Sequence, residues 1–266
     1  MNRHLETLLS HTLERVLTGL PYRRPDAAAL ARARIVSHRG ERDGRHVCEN
    51  TIAAFDPAVA AGVPAIEFDV RYTRDDEPVV VHDADLKRVF GRSDVVADSP
   101  WSALRAAEPR LPHLASVLER YAGRAHLMIE LKTRGSERAE TRLAELLAPL
   151  APVRDFHLLS LDTTLFEGAT TLPQRCHLPV AKLNLPALFD WARTHDCAGL
   201  AGPFALLRGR HIETLHARRA LIGSGFVSTP AMCLREIGRG VEWIFTNHAA
   251  RLQRGLDAAR ARLAAV

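Results

Sequence analysis

The residues able to do chemistry crowd into one stretch, from Arg34 to Asp83, with one later partner. Ser37-His38-Arg39-Gly40 closes a short apolar run, Glu67-Phe68-Asp69 lies inside a second, and Pro78–Val81 delivers His82-Asp83. On a strand, residues two apart share a face, so Glu67 and Asp69 point one way while Ile66, Phe68 and Val70 point the other. Two bare carboxylates side by side repel and resist burial unless a cation lies between them, and hard oxygen donors favour magnesium or calcium over zinc. The alternative is a carboxylate pair on a solvent-facing strand. Glu130 and Lys132 repeat the spacing in LMIELK, which offers a third oxygen ligand and a point charge for a phosphate oxygen, or an ion pair between the two.

His38 and His82 both end extended runs. An imidazole titrating near pH ~6.5 can serve as base or acid, and each role is worth roughly 10²- to 10⁴-fold in rate. Arg39 can clamp an anionic oxygen through two nitrogens, and Gly40 frees the backbone for a close approach. In Glu49-Asn50-Thr51, either Asn50 or Thr51 suits a helix N-cap. Capping does not explain Glu49, which suits a hydrogen bond within the site. Together these types point to a metal-assisted reaction on an anionic ester. Most of the 13 histidines read as surface or satisfied core residues, with His248, just past the last strand, less readily dismissed.

The elements that must position these residues follow a rhythm of short apolar runs and helical patterns. Strands are predicted at Arg34–Ser37, Ala65–Val70, Leu127–Lys132, Phe156–Leu161, Leu178–Lys182, Ala198–Gly202, Ala220–Gly225 and Trp243–Thr246. Most are separated by enough chain for a crossover helix, which implies parallel strands, and eight such units close a (β/α)8 TIM barrel whose site lies at the C-terminal ends of the strands. YTRDDEP is too short for a parallel crossover, so Val79–Val81 is predicted to return as a hairpin arm. Residues 84–124, with Gly91, Pro100, Pro109 and Pro112 around helical pieces such as Leu114–Tyr121, form a small insertion that walls or covers the site. Before the barrel, Leu5, Leu8, Leu9, Leu13, Val16, Leu17 and Leu20 trace one face of an N-terminal amphipathic helix. It is expected to pack on the outside or bottom of the barrel, with a homo-oligomer contact as the alternative. The division expected is an N-terminal helix and connector over 1–33 and the barrel domain over 34–266.

The charge of +5, from 36 basic and 31 acidic residues, is modest and spread along the chain, so it does not point to nucleic acid. Four cysteines without C-x-x-C spacing signal neither a zinc knuckle nor a disulfide framework. No segment has the roughly 18 consecutive apolar residues of a membrane span, and the first residues are interrupted by His4, Glu6, His11, Glu14 and Arg15, unlike a signal peptide. A soluble cytoplasmic protein is the expectation.

HRG at His38–Gly40, ENT at Glu49–Thr51, E-F-D at Glu67–Asp69, HD at His82–Asp83, LPHLASVL at Leu111–Leu118 and IELK at Ile129–Lys132 together resemble the glycerophosphodiester phosphodiesterase family. The resemblance implies a barrel that hydrolyses a glycerophosphodiester to glycerol 3-phosphate and an alcohol, an activity of glycerol and lipid metabolism. It implies His38 and His82 as the acid-base pair, and Glu67, Asp69 and Glu130 as ligands of a divalent metal, Mg2+ or Ca2+. Arg39 and Lys132 become phosphate contacts, with Glu49 and Phe226 also on the substrate side. The C-terminal half departs from the pattern. Gly225-Phe226-Val227-Ser228 stands where the family carries a Trp-Thr-Val-Asn-like segment, Thr246-Asn247-His248 where it carries Thr-Asp, and Ser160-Leu161 where it carries Ser-Phe. These changes leave the substrate's organic end open. The rival readings are a lysophospholipase D-like enzyme acting on a lipid, a barrel that binds phosphate esters without turnover, and an enzyme that stops at a cyclic phosphate.

Overall fold

The computed structural model describes residues 12–169 and 171–265. In chain order the strands are β1 (Arg34–His38), β2 (Ala65–Tyr72), β3 (Pro78–Val80), β4 (His126–Leu131), β5 (Phe156–Ser160), β6 (His177–Pro179), β7 (Gly199–Pro203), β8 (Leu221–Gly225) and β9 (Trp243–Thr246). All but β3 run parallel, in the order β6-β5-β4-β2-β1-β9-β8-β7. A parallel bridge between Val180 and Ala201 joins the two outermost strands, so the sheet closes as the predicted eight-stranded barrel. That seam is thin. Pro179 has no N–H to give the ladder, which limits β6 to three residues where Leu178–Lys182 was predicted. Val180 and Ala181 then resume the bonding, to Ser160 O at 2.8 Å and to Ala201 O at 2.7 Å.

β3 pairs antiparallel with β2, with Val80 opposite Val70. The turn before it is closed by Thr73, whose N–H bonds Glu77 O at 3.0 Å. This arm carries the chain back over the barrel mouth and sets His82 there.

The helices are α1 (residues 12–19), α2 (Ala27–Arg32), α3 (Ile52–Ala60), α4 (Lys87–Phe90), α5 (Trp101–Ala107), α6 (Leu114–Tyr121), α7 (Glu137–Leu147), α8 (Leu185–Thr194), α9 (Gly209–Ala217), α10 (Pro230–Gly238) and α11 (Ala249–Ala264). Their apolar faces pack on the outward residues of the strands. On one side Phe55, Phe68 and Tyr121 interlock, the last two rings each within 6 Å of Phe55. Inside the barrel, Val36, Ala65, Met128, Leu159, Leu178, Ala201 and Phe245 form one apolar layer. The inward carboxylates Glu67, Asp69 and Glu130 follow it toward the C-terminal ends of β2 and β4. The insertion after β3 has its own core of Val79, Val81, Leu86, Val96, Leu104 and Leu111.

The N-terminal helix is described only in part. Leu5, Leu8 and Leu9 lie outside the described residues. Over 12–19 the chain is helical, but Leu13, Val16 and Leu20 are exposed and Leu17 alone packs on the core. The buried residue is Glu14, whose carboxylate accepts from the N–H groups and hydroxyls of Ser228 and Thr229 at 2.5 to 3.2 Å. Over the described residues, the Glu14 charge at the start of α10 and Leu17 against the core hold this segment.

At the opposite end of the barrel, His126 Nε2 lies 2.8 Å from His157 Nδ1, beside Trp243. Burial pushes His126 down to about 4 and His157 to about 3. Their ordinary value is 6.5, so below it the unfolded chain binds protons that the folded pair refuses. Stability is therefore expected to be full above this value and to fall as the pH drops toward 4. In urea titrations across that window, His157→Leu should flatten the slope of stability against pH. An unchanged slope contradicts the assignment.

Candidate active site

β2 and β4 deliver three carboxylates to one point. Asp69 is paired in register with Glu130, and Glu67 stands one inward position below Asp69. Ligand oxygens from Glu67, Asp69 and Glu130 lie within 4.8 Å of one another, and all three residues are buried. Burial and the neighbouring carboxylates push Glu67 well above its usual range and raise Glu130. For Asp69 burial pulls the same way, but Arg39 and Lys132 hold it below. Arg39 Nε is 3.0 Å from Asp69 Oδ2, and Asn50 Nδ2 donates to the same oxygen at 2.7 Å. Lys132 Nζ is 2.6 Å from Glu130 Oε1 and 3.5 Å from Asp69 Oδ1, the ion pair that the E-x-K spacing also allowed.

The donor set fits a hard divalent cation. Its ligands would be all oxygen. Buried Glu67 Oε1 has no hydrogen-bond partner, and Asp69 Oδ1 has none beyond its ion pair with Lys132. A buried oxygen left this way costs free energy that coordination would recover.

The two histidines flank this cluster with their rings anchored at Nδ1. His38 Nδ1 is 2.8 Å from Asn247 Oδ1, and its Nε2 is 3.8 Å from Glu67 Oε2. His82 Nδ1 is 2.6 Å from Asp83 Oδ1. Arg71, inward on β2, donates to the His82 carbonyl at 2.8 Å and ties the arm to the barrel. Burial, then Arg39, depresses His38 to about 3, and burial also lowers His82.

The backbone is bent to hold this arrangement. Arg39 has φ 61 and Asn50 φ 58, left-handed values that cost a non-glycine residue free energy. The bend is held by Arg39 N, which donates to Glu67 O at 2.9 Å, and Asn50 N, which donates to Arg39 O at 3.0 Å. Gly40 follows with φ +82, and a Cβ there would sit 2.5 Å from Ala54 Cβ. Only glycine fits. Thr51, rather than Asn50, caps α3, accepting from Ala54 N at 3.3 Å.

Glu49 lies among guanidinium groups. Arg39 Nη1 and Arg88 Nη2 donate to its Oε1 at 3.1 and 2.6 Å, and Arg42 Nε lies 3.5 Å from Oε2. Against burial, these arginines hold its carboxyl down at about 2. Phe226 stands apart, in the loop after β8, 53% exposed with φ 66. Leu183, after β6, is 82% exposed. The structure thus brings His38, His82, Arg39, Lys132, Glu49, Glu67, Asp69 and Glu130 together and leaves Phe226 outside the cluster. Sequence reasoning missed Arg42 and Arg88, and took Asn247 only as a departure from the family pattern. No motif marks the arginines, and each has one partner far along the chain, Asn247 for Arg42 and Glu49 for Arg88.

With that geometry in place, the relatives are informative. Residues 38–157, which hold both histidines and all three carboxylates, match the glycerophosphoryl diester phosphodiesterase family. The likeness to this family is carried by that stretch of the chain. It is 37% identical over 114 residues to the Bacillus subtilis protein YhdW, covering 39% of this chain and 46% of that one. Against a glycerophosphodiester phosphodiesterase of Caldanaerobacter subterraneus it is 33% identical over 111 residues, covering 37% and 45%. The chain thus spans less than half the length of these curated relatives. The fold extends further. A Thermotoga maritima glycerophosphodiester phosphodiesterase superposes with a TM-score of 0.69 at 23% identity over 82% of this chain and 96% of that chain. An Oleispira antarctica phosphodiesterase, solved with the product sn-glycerol-3-phosphate, does so with a TM-score of 0.73 at 21% identity over 86% and 99%.

The carboxylate cluster leads to a prediction about stability. Magnesium or calcium at about a hundred times its Kd should stabilise the metal-stripped protein by about 2.7 kcal/mol. Glu67→Gln should raise the melting temperature of the stripped protein, by removing a like charge, and abolish the response to metal. A thermal melt with and without the ion reads both. A variant that keeps the full metal response contradicts the site.

Proposed function

We propose that this chain is a metal-dependent phosphodiesterase that hydrolyses glycerophosphodiesters to glycerol 3-phosphate and an alcohol. One observation carries the reading: two histidines, each anchored through Nδ1, flank a buried cluster of three carboxylates at the mouth of the barrel. Anchoring at Nδ1 leaves Nε2 of each ring for proton transfer.

In this reading the 2-hydroxyl of the glycerol attacks phosphorus while one histidine takes its proton. The bond from phosphorus to the alcohol oxygen breaks, and the other histidine protonates that oxygen as it leaves. Water then opens the resulting cyclic phosphate, giving glycerol 3-phosphate. Lys132 and Arg39 carry positive charge toward the phosphate oxygens, steadied by their bonds to Glu130 and Asp69. A divalent ion held by Glu67, Asp69 and Glu130, magnesium or calcium, would orient the hydroxyl and lower the cost of charge at phosphorus. Residues 34–266 form the catalytic domain in this proposal and 1–33 an appended helix and connector. No helix among the described residues is long and apolar enough to cross a membrane, and a cytoplasmic location belongs to the proposal.

Exposed Leu183 and Phe226, on loops at the strand ends, favour a second reading, in which the alcohol carries a lipid chain. A rat lysophospholipase D, 43% identical over 72 residues, supports it over 27% of this chain and 22% of that one.

The test is release of glycerol 3-phosphate from a panel of glycerophosphodiesters and lysophospholipids, with and without divalent ion. His38→Ala and His82→Ala should each lower kcat by roughly 10²- to 10⁴-fold while the proteins stay folded. Near-normal turnover in either variant removes that histidine from the acid-base pair. Faster release from lysophospholipids than from short glycerophosphodiesters selects the lipid reading.

A further inference from the structure

Hydrogen bonds that anchor a histidine ring are only as good as the groups that aim them. An amide oxygen or a carboxylate accepts and cannot donate, so the contacts of His38 to Asn247 Oδ1 and of His82 to Asp83 Oδ1 put a proton on Nδ1 of each ring. Nothing in the shape of an asparagine amide decides which end faces the ring. Arg42 decides it here. Its Nη2 lies 3.0 Å from Asn247 Oδ1, and a guanidinium only donates, so oxygen rather than NH2 is held toward His38. Its Nη1 also donates to the His38 carbonyl at 2.9 Å. On the other side Arg88 Nε takes Asp83 Oδ2 at 2.5 Å, leaving Oδ1 aimed at His82.

Both guanidinium groups end on one buried carboxylate. Arg88 Nη2 reaches Glu49 Oε1 at 2.6 Å, and Arg42 Nε lies 3.5 Å from Oε2. Asn247, Arg42, Glu49, Arg88 and Asp83 thus run as one chain of charged and polar contacts, from the Nδ1 partner of one histidine to that of the other. Four segments contribute: the loop after β1, the turn after β3, α4 of the insertion and the end of β9. The geometry points to Arg42 and Arg88 as positioning residues, joined through Glu49, that fix the tautomers of His38 and His82. Glu49 is then a brace within the protein, in place of the substrate contact expected from sequence. The roles of these tautomers in turnover rest on the two-histidine reading above; the bridge itself does not.

The experiment uses the full chain and the variants Arg42→Gln and Arg88→Gln, with folding checked by circular dichroism and thermal melts. Nitrogen-15 spectra of labelled histidines, taken without substrate and assigned with the His38→Ala and His82→Ala proteins, report each ring's tautomer. Arg42→Gln should lose the single Nδ1–H form at His38 alone, and Arg88→Gln at His82 alone. Each variant's kcat should fall by about 10- to 100-fold with KM little changed, as for other groups that orient site residues, and Arg→Lys should restore part of the loss. Unchanged tautomers in both variants, or a loss confined to KM, overturn the bridge. If the spectra respond as stated while the parent protein releases no glycerol 3-phosphate, the phosphodiesterase reading falls and the bridge stands.

Discussion

Repulsion among Glu67, Asp69 and Glu130 is the constraint around which the site is built. Unit charges about 5 Å apart repel by on the order of 3 kcal/mol at an effective dielectric of about 20, and three carboxylates make three such pairs. A fold with a margin of about 5 to 15 kcal/mol cannot hold that arrangement without compensation. Part of that compensation is visible. Lys132, Arg39 and Asn50 take up oxygens of Asp69 and Glu130, while Glu67 keeps a buried oxygen without a hydrogen-bond partner. The local neutralisation is incomplete, and the donor set suits a divalent ion.

Rigidity follows from the same demand. Carboxylates converge this closely because they sit on adjacent parallel strands in fixed register, above an apolar layer that fills the barrel. The left-handed turn at Arg39 and the close approach at Gly40 bring the first strand end against them. Glu49, buried beneath three guanidinium groups, extends the alternation of charge outward to the two histidines. Reading outward, each shell carries the sign opposite to the one it encloses.

Much of this was legible in the chain itself. The eight strands could be read because each is a short apolar run followed by enough residues for a helix, and period-two alternation fixed which carboxylates face inward. Pro179 shortened one strand in a way that hydrophobic pattern does not register. The first helix was only partly legible: its leucine periodicity does not register Glu14, which bonds Ser228 and Thr229. Arg42 and Arg88 were invisible because their meaning depends on partners 205 and 39 residues away, at Asn247 and Glu49. Glu49 was read as a substrate contact, and its motif carries no sign of the arginines that pair with it.

The loops after β6 and β8 stand outside the charged cluster on which the proposed function rests. They present Leu183 and Phe226 to solvent, apart from the charged cluster. The central claim concerns that cluster, as a cation site that works together with the two histidines. Its most direct measurement is a titration of metal-stripped protein with magnesium or calcium, following ion binding and glycerol 3-phosphate release in the same sample. The account predicts that activity rises in step with binding and that both are lost in Glu130→Gln. Full activity in exhaustively chelated protein, or metal binding that survives Glu130→Gln unchanged, would contradict it.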